Sequence, residues 1–210
     1  MKTDRAGKNF NFGDFIIKLH PEVYEPAEDT FLLIEAIDVV KGKSVLEIGT
    51  GCGLIALECA RFGANVICTD INPYAVDLAK YNYLKNKHLI KGSFKVKSGN
   101  LFSALKHKEL FDVVIFNPPY LPTAKKDLVG GLGWFDVATN GGDDGLKITK
   151  RFIDEIPNFL KQEGHAFFVF SSLSDRNKLE SYIKKGGFRF RIIINRCFND
   201  EEISIYSINF

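Results

Sequence analysis

The sequence contains no apolar run approaching the ~20 residues that a bilayer-spanning helix needs. Its first residues, Met1-Lys-Thr-Asp-Arg-Ala-Gly7, hold no apolar stretch long enough for a secretory signal. Together these absences argue against membrane insertion and export, and a cytoplasmic location is expected. Paired cysteines are missing as well. Cys52, Cys59, Cys68 and Cys197 form no CxxC pair, and His20, His88, His107 and His165 are scattered. A metal site within the chain is therefore not expected, the thiols are expected to be reduced, and no histidine is given a catalytic role. A charge imbalance is lacking too: 28 basic against 26 acidic residues leave a net charge of +2. Lysine clusters such as Lys85, Lys87, Lys91, Lys95 and Lys97 read as solvated faces rather than as a nucleic-acid patch. There is no internal repeat and no linker, so residues 1–210 are read as one α/β domain, with 1–13 expected to be poorly ordered.

What is present is organised around Phe111-Asp-Val-Val-Ile-Phe-Asn117-Pro118-Pro119-Tyr120. The β-branched apolar part reads as a buried parallel strand, 111–116. Pro118 and Pro119 have no N–H to donate and end it, and Asn117 is biased to an extended conformation by the proline that follows. The outcome is a rigid corner at the carboxyl end of a strand, where open α/β sheets bind ligands. The Asn117 side-chain oxygen and the Pro118 carbonyl are acceptors able to grip a planar NH2 group, and Tyr120 offers a ring face for stacking. A plain strand followed by a proline-rich loop is the other reading of the same residues.

Upstream, Glu28 and Asp29 sit where the first turn of a helix prefers acids, and the apolar positions from Phe31 to Val40 predict a helix over about 27–40. Ser44–Ile48 is the first central strand and runs into Gly49-Thr-Gly51-Cys-Gly53, then a helix of about 54–62. Strand, glycine turn and helix form the nucleotide-binding arrangement, because glycine lets the backbone turn tightly beside a ligand. The second strand, 65–70, ends in Asp70, placed to accept hydrogen bonds from ribose hydroxyls. Asn72 and Pro73 then start a helix that runs to about Lys87. A third strand, 94–97, leads to the polar turn Ser98-Gly99-Asn100-Leu101. Residues 121–145 are glycine-rich and read as an irregular, substrate-side loop. Leu146, Ile148, Phe152, Ile153, Ile156 and Leu160 have helical spacing and read as core. A fifth strand over 165–170, a helix over about 175–185 and an antiparallel pair, 188–195 with 203–208, complete the chain. The alternation predicts a Rossmann-like, doubly wound α/β sheet of seven strands, mostly parallel with an antiparallel C-terminal strand.

Two cofactor classes use such a layout. Dinucleotide sites want G-x-G-x-x-G so that pyrophosphate rests on a helix N-terminus. Here the run is G-x-G-x-G, with Glu47 two residues before it. A carboxylate there repels pyrophosphate but attracts a cationic amino acid moiety, so S-adenosylmethionine, which has no phosphate, fits better.

The combination Glu47-Ile-Gly-Thr-Gly-Cys-Gly, Asp70-Ile71-Asn-Pro and Asn117-Pro-Pro-Tyr resembles the HemK family of class I S-adenosylmethionine-dependent methyltransferases. Tyr24-Glu-Pro-Ala-Glu-Asp-Thr30 and Gly141-Gly-Asp-Asp-Gly145 resemble its short archaeal and eukaryotic branch, and the likeness covers about residues 15–210. Bacterial members carry an extra N-terminal helical domain, for which the some 40 residues before the first central strand leave no room. The resemblance implies methylation of the side-chain amide nitrogen of the GGQ glutamine in class 1 translation release factors. It also implies a small zinc-binding activator subunit covering a hydrophobic edge. By position it places Thr30, Glu47, Gly49, Gly51, Asp70 and Ile71 at the cofactor, with Asn100 and Leu101 beside the adenine. Family members often carry Asp where this chain has Asn100, which can still bond an amino group through its oxygen. Asn117 would grip the substrate amide beside the methyl donor, with Pro118 and Tyr120 completing that catalytic pocket. Two other functions stay open at this point. One is an N-methyltransferase of the same fold acting on a base amino group or a protein lysine, the former requiring base flipping in duplex substrates. The other is a non-catalytic cofactor-binding scaffold, against which the intact corner argues.

Overall fold

A computed structural model of the protein describes residues 8–37, 40–122 and 133–210. Asn9–Phe12 (β1) and Phe15–Lys18 (β2) form an antiparallel hairpin. The expectation that 1–13 lack order is thereby corrected for 9–12, while 1–7 lie outside the described residues. The reason is aromatic packing: Phe10 and Phe12 both stack on Phe31, with ring centroids 6.0 and 5.7 Å away.

Seven further strands pair into one sheet. They are Ser44–Ile48 (β3), Asn65–Asp70 (β4), Ser93–Ser98 (β5), Phe111–Phe116 (β6), Leu160–Ser171 (β7), Arg189–Phe198 (β8) and Glu201–Asn209 (β9). The order is β5-β4-β3-β6-β7-β9-β8. Every pairing is parallel except those of β9, which runs antiparallel to both of its neighbours. The chain works outward from β3 to β5 and then returns to β6 on the other side of β3. That reversal is the topological switch point, where the loops after β3 and β6 diverge and leave a crevice.

Helices cover both faces. Glu28–Ala36 (α1), Leu54–Arg61 (α2) and Pro73–Asn86 (α3) lie on one side. Leu32, Leu33, Ile55 and Ala56 pack there against Val45, Val66 and Ile115 of the sheet. Trp134–Thr139 (α4) belongs to the loop after β6. Lys147–Glu155 (α5) and Arg176–Lys185 (α6) cover the opposite face, where Phe152, Ile153, Leu179 and Ile183 meet Val114, Phe168 and Tyr206.

Several boundaries differ from expectation, each with a local cause. α1 ends at Ala36 rather than near 40, because Ile37 is already extended at ψ 104°. Leu160 opens β7 instead of ending a helix, because Pro157 sits in a 3₁₀ turn, Ile156–Asn158, that closes α5. Part of the glycine-rich 121–145 segment is helical, since α4 occupies 134–139; residues 123–132 lie outside the described part. Both C-terminal strands run longer than their apolar alternation suggests.

One polar cluster sets the start of the central strands. Asp112 accepts hydrogen bonds from the Ser44 backbone N–H (2.8 Å), the Ser44 hydroxyl (2.7 Å) and the Lys161 ammonium (2.9 Å). It therefore ties β6 to β3 on one side and to β7 on the other. Partial burial alone would raise its pKa, but the bonds from Ser44 and Lys161 outweigh it and hold the carboxyl down at about 2. With an ordinary value of 3.8, this depression adds stability that is fully present above pH 3.8 and lost as pH falls through about 2. Asp112→Asn should lower unfolding free energy by roughly 1–2 kcal/mol at pH 7. In urea melts the gap to wild type should close as the pH is brought below 3.

Candidate active site

The register of β3 against β6 brings the two decisive loops together. Ile48 pairs with Phe116, so Gly49 and Asn117 leave adjacent strands side by side. Gly49, Gly51 and Gly53 all take positive φ, at 65°, 56° and 87°. Side chains with a Cβ are disfavoured in that region, so the turn demands glycine. At Gly53 a Cβ would also meet that of Ala79 at 3.1 Å.

Between these loops lies a cavity of about 380 Å³. Thr30, Glu47, Gly49, Gly51, Asp70, Ile71, Asn100, Leu101, Asn117, Pro118 and Tyr120 all line it. The structure thus brings every sequence-predicted site residue to one place, although Ile71 is 45 % exposed. On the far wall stand Trp134, Val137, Ala138 and Thr139 of α4. That wall is fastened across the cavity: Glu22 accepts the Trp134 N–H at 3.1 Å and Phe135 stacks on Tyr24 at 6.3 Å.

Two carboxylates stand at the glycine turn. Glu47 is 2 % exposed, and the Thr50 hydroxyl donates to its Oε2 at 2.5 Å. Burial pushes its pKa up to about 8 despite that bond. Asp70 accepts the N–H of Gly51 through Oδ2 and that of Asn72 through Oδ1, each at 2.9 Å. It therefore fastens the glycine turn to the start of α3, and burial raises its pKa in spite of these bonds. Asn72 caps α3 by accepting the Tyr74 N–H at 2.9 Å and donates to the Glu22 carbonyl at 2.7 Å. Leu101 sits at φ +50°, an uncommon conformation for a leucine, on a turn whose Asn100 N–H donates to Ser103 Oγ.

The corner after β6 holds a residue that the sequence pattern did not single out. Asp29, read from sequence as a helix first-turn acid, is only 3 % exposed. Its Oδ2 accepts from Asn117 Nδ2 at 3.0 Å, from the Tyr120 hydroxyl at 3.3 Å and from the Tyr24 hydroxyl at 3.2 Å. Its Oδ1 accepts the N–H and the hydroxyl of Thr30, at 2.6 and 3.2 Å. Burial first, and then the Asp29 charge, raise the pKa values of both tyrosines, so the phenols stay protonated donors. The Tyr120 ring, expected as a stacking face, is also anchored by its hydroxyl. The sequence offered Asp29 only as a helix-start acid within the Tyr24–Thr30 segment, because its partners Asn117 and Tyr120 lie 88 and 91 positions away.

Asn117 Oδ1 is buried and has no hydrogen-bond partner among the described residues. Buried acceptors in folded proteins are nearly always satisfied, so such an atom marks a place where a ligand completes the bonding. No group of three or more His, Cys, Asp or Glu able to hold a metal occurs among the described residues. No described helix is long and apolar enough to cross a membrane.

A mostly parallel seven-stranded sheet with one antiparallel strand, carrying an acid-flanked glycine turn at its switch point, defines the class I methyltransferase type. Residues 18–130 match the family described as the methyltransferase small domain. The chain belongs to that family and, within it, to the branch that contains the following relatives. MJ0928 of Methanocaldococcus jannaschii, a candidate protein N5-glutamine methyltransferase, is 44% identical over 190 residues, covering 90% of this chain and 92% of its own. Human methyltransferase HEMK2 is 30% identical over 192 residues, 88% of each chain. Among solved structures, the E. cuniculi Mtq2–Trm112 complex, responsible for methylation of the termination factor eRF1, superposes with a TM-score of 0.69 at 25% identity. That match covers 90% of this chain and 98% of the other.

Glu47 carries a measurable signature. Its carboxyl binds a proton more tightly in the folded protein, at about 8, than its ordinary value of 4.5. Relative to a permanently neutral side chain, wild type therefore loses stability as pH rises from 4.5 through about 8. The ligand-free Glu47→Gln variant should match wild type near pH 4.5 and exceed it by ~2–4 kcal/mol at pH 9 in urea melts.

Proposed function

We propose that this protein is the methyltransferase of the GGQ glutamine in a class 1 translation release factor, modifying the side-chain amide nitrogen. The observation that carries this reading is the buried Asn117 Oδ1, without a hydrogen-bond partner among the described residues, at a cavity that Pro118 also lines. Two fixed acceptors match the two hydrogens of a primary amide. The comparisons support it: MJ0928 is a candidate N5-glutamine methyltransferase, and the Schizosaccharomyces pombe relative, 29% identical, is the eRF1 methyltransferase catalytic subunit mtq2.

The cofactor is S-adenosylmethionine, and the residues present fit it. A buried Glu47 beside a glycine turn, whose charged form an arriving cation would favour, suits a cationic amino acid moiety. Asp70 keeps lone pairs free for ribose hydroxyls beyond its two backbone bonds. Thr30, Gly49, Gly51 and Ile71 shape the same wall, and Asn100 with Leu101 would flank the base. When bound, the cofactor supplies an electrophilic methyl group on a sulfonium.

Asn117 and the Pro118 carbonyl accept the two N–H bonds of the substrate amide. They hold its nitrogen in one orientation and favour the positive charge that develops there. Tyr120 lines the same pocket and shares the Asp29 carboxyl oxygen with Asn117. A carboxamide nitrogen is a weak nucleophile, because its lone pair is delocalised. No side chain among the described residues of the cavity stands out as a strong base, so orientation carries the catalysis. Well-held geometry of this kind can remove ~7–11 kcal/mol of barrier.

A small zinc-binding activator subunit would sit at the edge formed by β5 and α3. There the last strand of the sheet has one unpaired side, and Leu84 and Tyr81 are 68% and 47% exposed. The solved Mtq2 structure is a complex with a companion chain, Trm112. A substrate of the translation machinery places the reaction in the cytoplasm.

Incubating the enzyme with methyl-labelled cofactor and release factor should label the protein only when the GGQ glutamine is intact. Label that appears instead in nucleic acid or on lysine would overturn the substrate. Asn117→Ala should lower turnover at least ~10³-fold while the cofactor Kd changes less than about threefold. Equal loss of both, read by calorimetry and activity, would remove Asn117 from the substrate clamp.

A further inference from the structure

The two ends of an asparagine amide are nearly identical in shape but opposite in hydrogen-bonding sense. A clamp built on Asn117 therefore needs something that decides which end meets the substrate. Resting on the glutamine reading above, we infer that Asp29 is the positioning residue that fixes Asn117 with its oxygen toward the substrate and thereby selects a carboxamide.

The geometry is specific. Asp29 Oδ2 lies 3.0 Å from Asn117 Nδ2, and a carboxylate accepts but does not donate. The NH2 end is therefore committed to Asp29, and Oδ1 is turned away from it, buried and without a partner among the described residues. The carboxylate is itself immobilised. Thr30 holds Oδ1 through its backbone N–H and hydroxyl, while Tyr24 and Tyr120 hold Oδ2. Five donors on one carboxyl group make a stiff support. Asn117 then keeps its acceptor Oδ1 for the substrate, and Pro118, which lines the same cavity, can add only a carbonyl acceptor from its backbone. An NH2 group satisfies them, whereas an ester or carboxylate of the same shape presents oxygen to oxygen.

The isosteric change Asp29→Asn reverses this logic rather than merely weakening it. The Thr30 N–H demands an acceptor, so the single oxygen of the new amide should stay on Thr30. Its NH2 then takes the place of Oδ2 and faces Asn117, which must rotate to offer its own oxygen. The end of residue 117 turned to the substrate becomes a donor.

The test uses the full chain, together with its activator if turnover requires one. Wild type and D29N are compared for turnover on whole release factor. They are also compared for affinity for two GGQ-containing peptides, one with the natural glutamine and one with the neutral glutamate γ-methyl ester, an acceptor without NH2. In D29N, kcat should fall about 100-fold, with the KM for release factor and the cofactor Kd within about threefold. Wild type should prefer the glutamine peptide about tenfold or more, and D29N should lose or invert that preference. A merely structural role for Asp29 would lower both affinities together and leave their ratio alone. In 15N NMR of the protein, one Asn117 side-chain NH2 proton should be exchange-protected in wild type and lose that protection in D29N. Should D29N not fold, Tyr24→Phe, which frees one hold on the carboxylate, should shift the peptide ratio in the same direction by a smaller factor. An unchanged ratio with unchanged protection overturns the assignment. If wild type leaves the release-factor glutamine unmethylated while the Asn117 protection and its loss are both seen, the substrate reading fails and the positioning role of Asp29 stands.

Discussion

The parallel pairing of β3 with β6 is the constraint on which the rest depends. Ile48 opposite Phe116 fixes where each strand hands over to its loop. One loop is obliged to turn on glycines, and the other is obliged to stop at prolines. Because the chain changes direction across the sheet at this pair, no described residue fills the space between the two loops. A shift of one residue in this register would turn Glu47 and Asn117 to opposite faces of the sheet and dissolve the site.

Two buried acids at this crevice are treated in contrasting ways. Glu47 has a single side-chain donor, Thr50, and desolvation dominates, so its proton is held to about pH 8. It is a carboxyl waiting for a positive charge. Asp29 is as deeply buried but surrounded by five donors from four residues, one of them the Asn117 amide. It is a carboxylate already satisfied, whose use is to orient others. The same side-chain chemistry thus serves binding at one end of the cavity and geometry at the other. Each role follows from how many donors replace the lost water.

The framework away from the site explains how such a crevice is held open without collapsing. Asp112 joins three strands at the amino ends of β3 and β6, opposite the ligand loops. Phe102, Phe152, Phe168 and Tyr206 fill the layer under α5 and α6. On the other face the hairpin of β1 and β2 reaches α1 through Phe31 and α3 through Asn82 and Asn86, whose amides bond the β2 backbone. These contacts fall between distant segments of chain and had no local sequence signal.

By itself the sequence determined the parallel strands, the glycine turn, the proline corner and their order, because each is set by local chemistry. Apolar runs make buried strands, a missing Cβ permits positive φ, and a missing N–H ends a ladder. Glu47, Asp70 and Asn117 could be read because they abut those signals. Pro157 ending a helix, and the strand at 9–12, were missed because their signals were short. Asp29 was legible only as a helix-start acid. Two of its partners, Asn117 and Tyr120, are brought to it by folding over some 90 positions, and hydrogen-bond geometry at that separation is decided by tertiary packing alone.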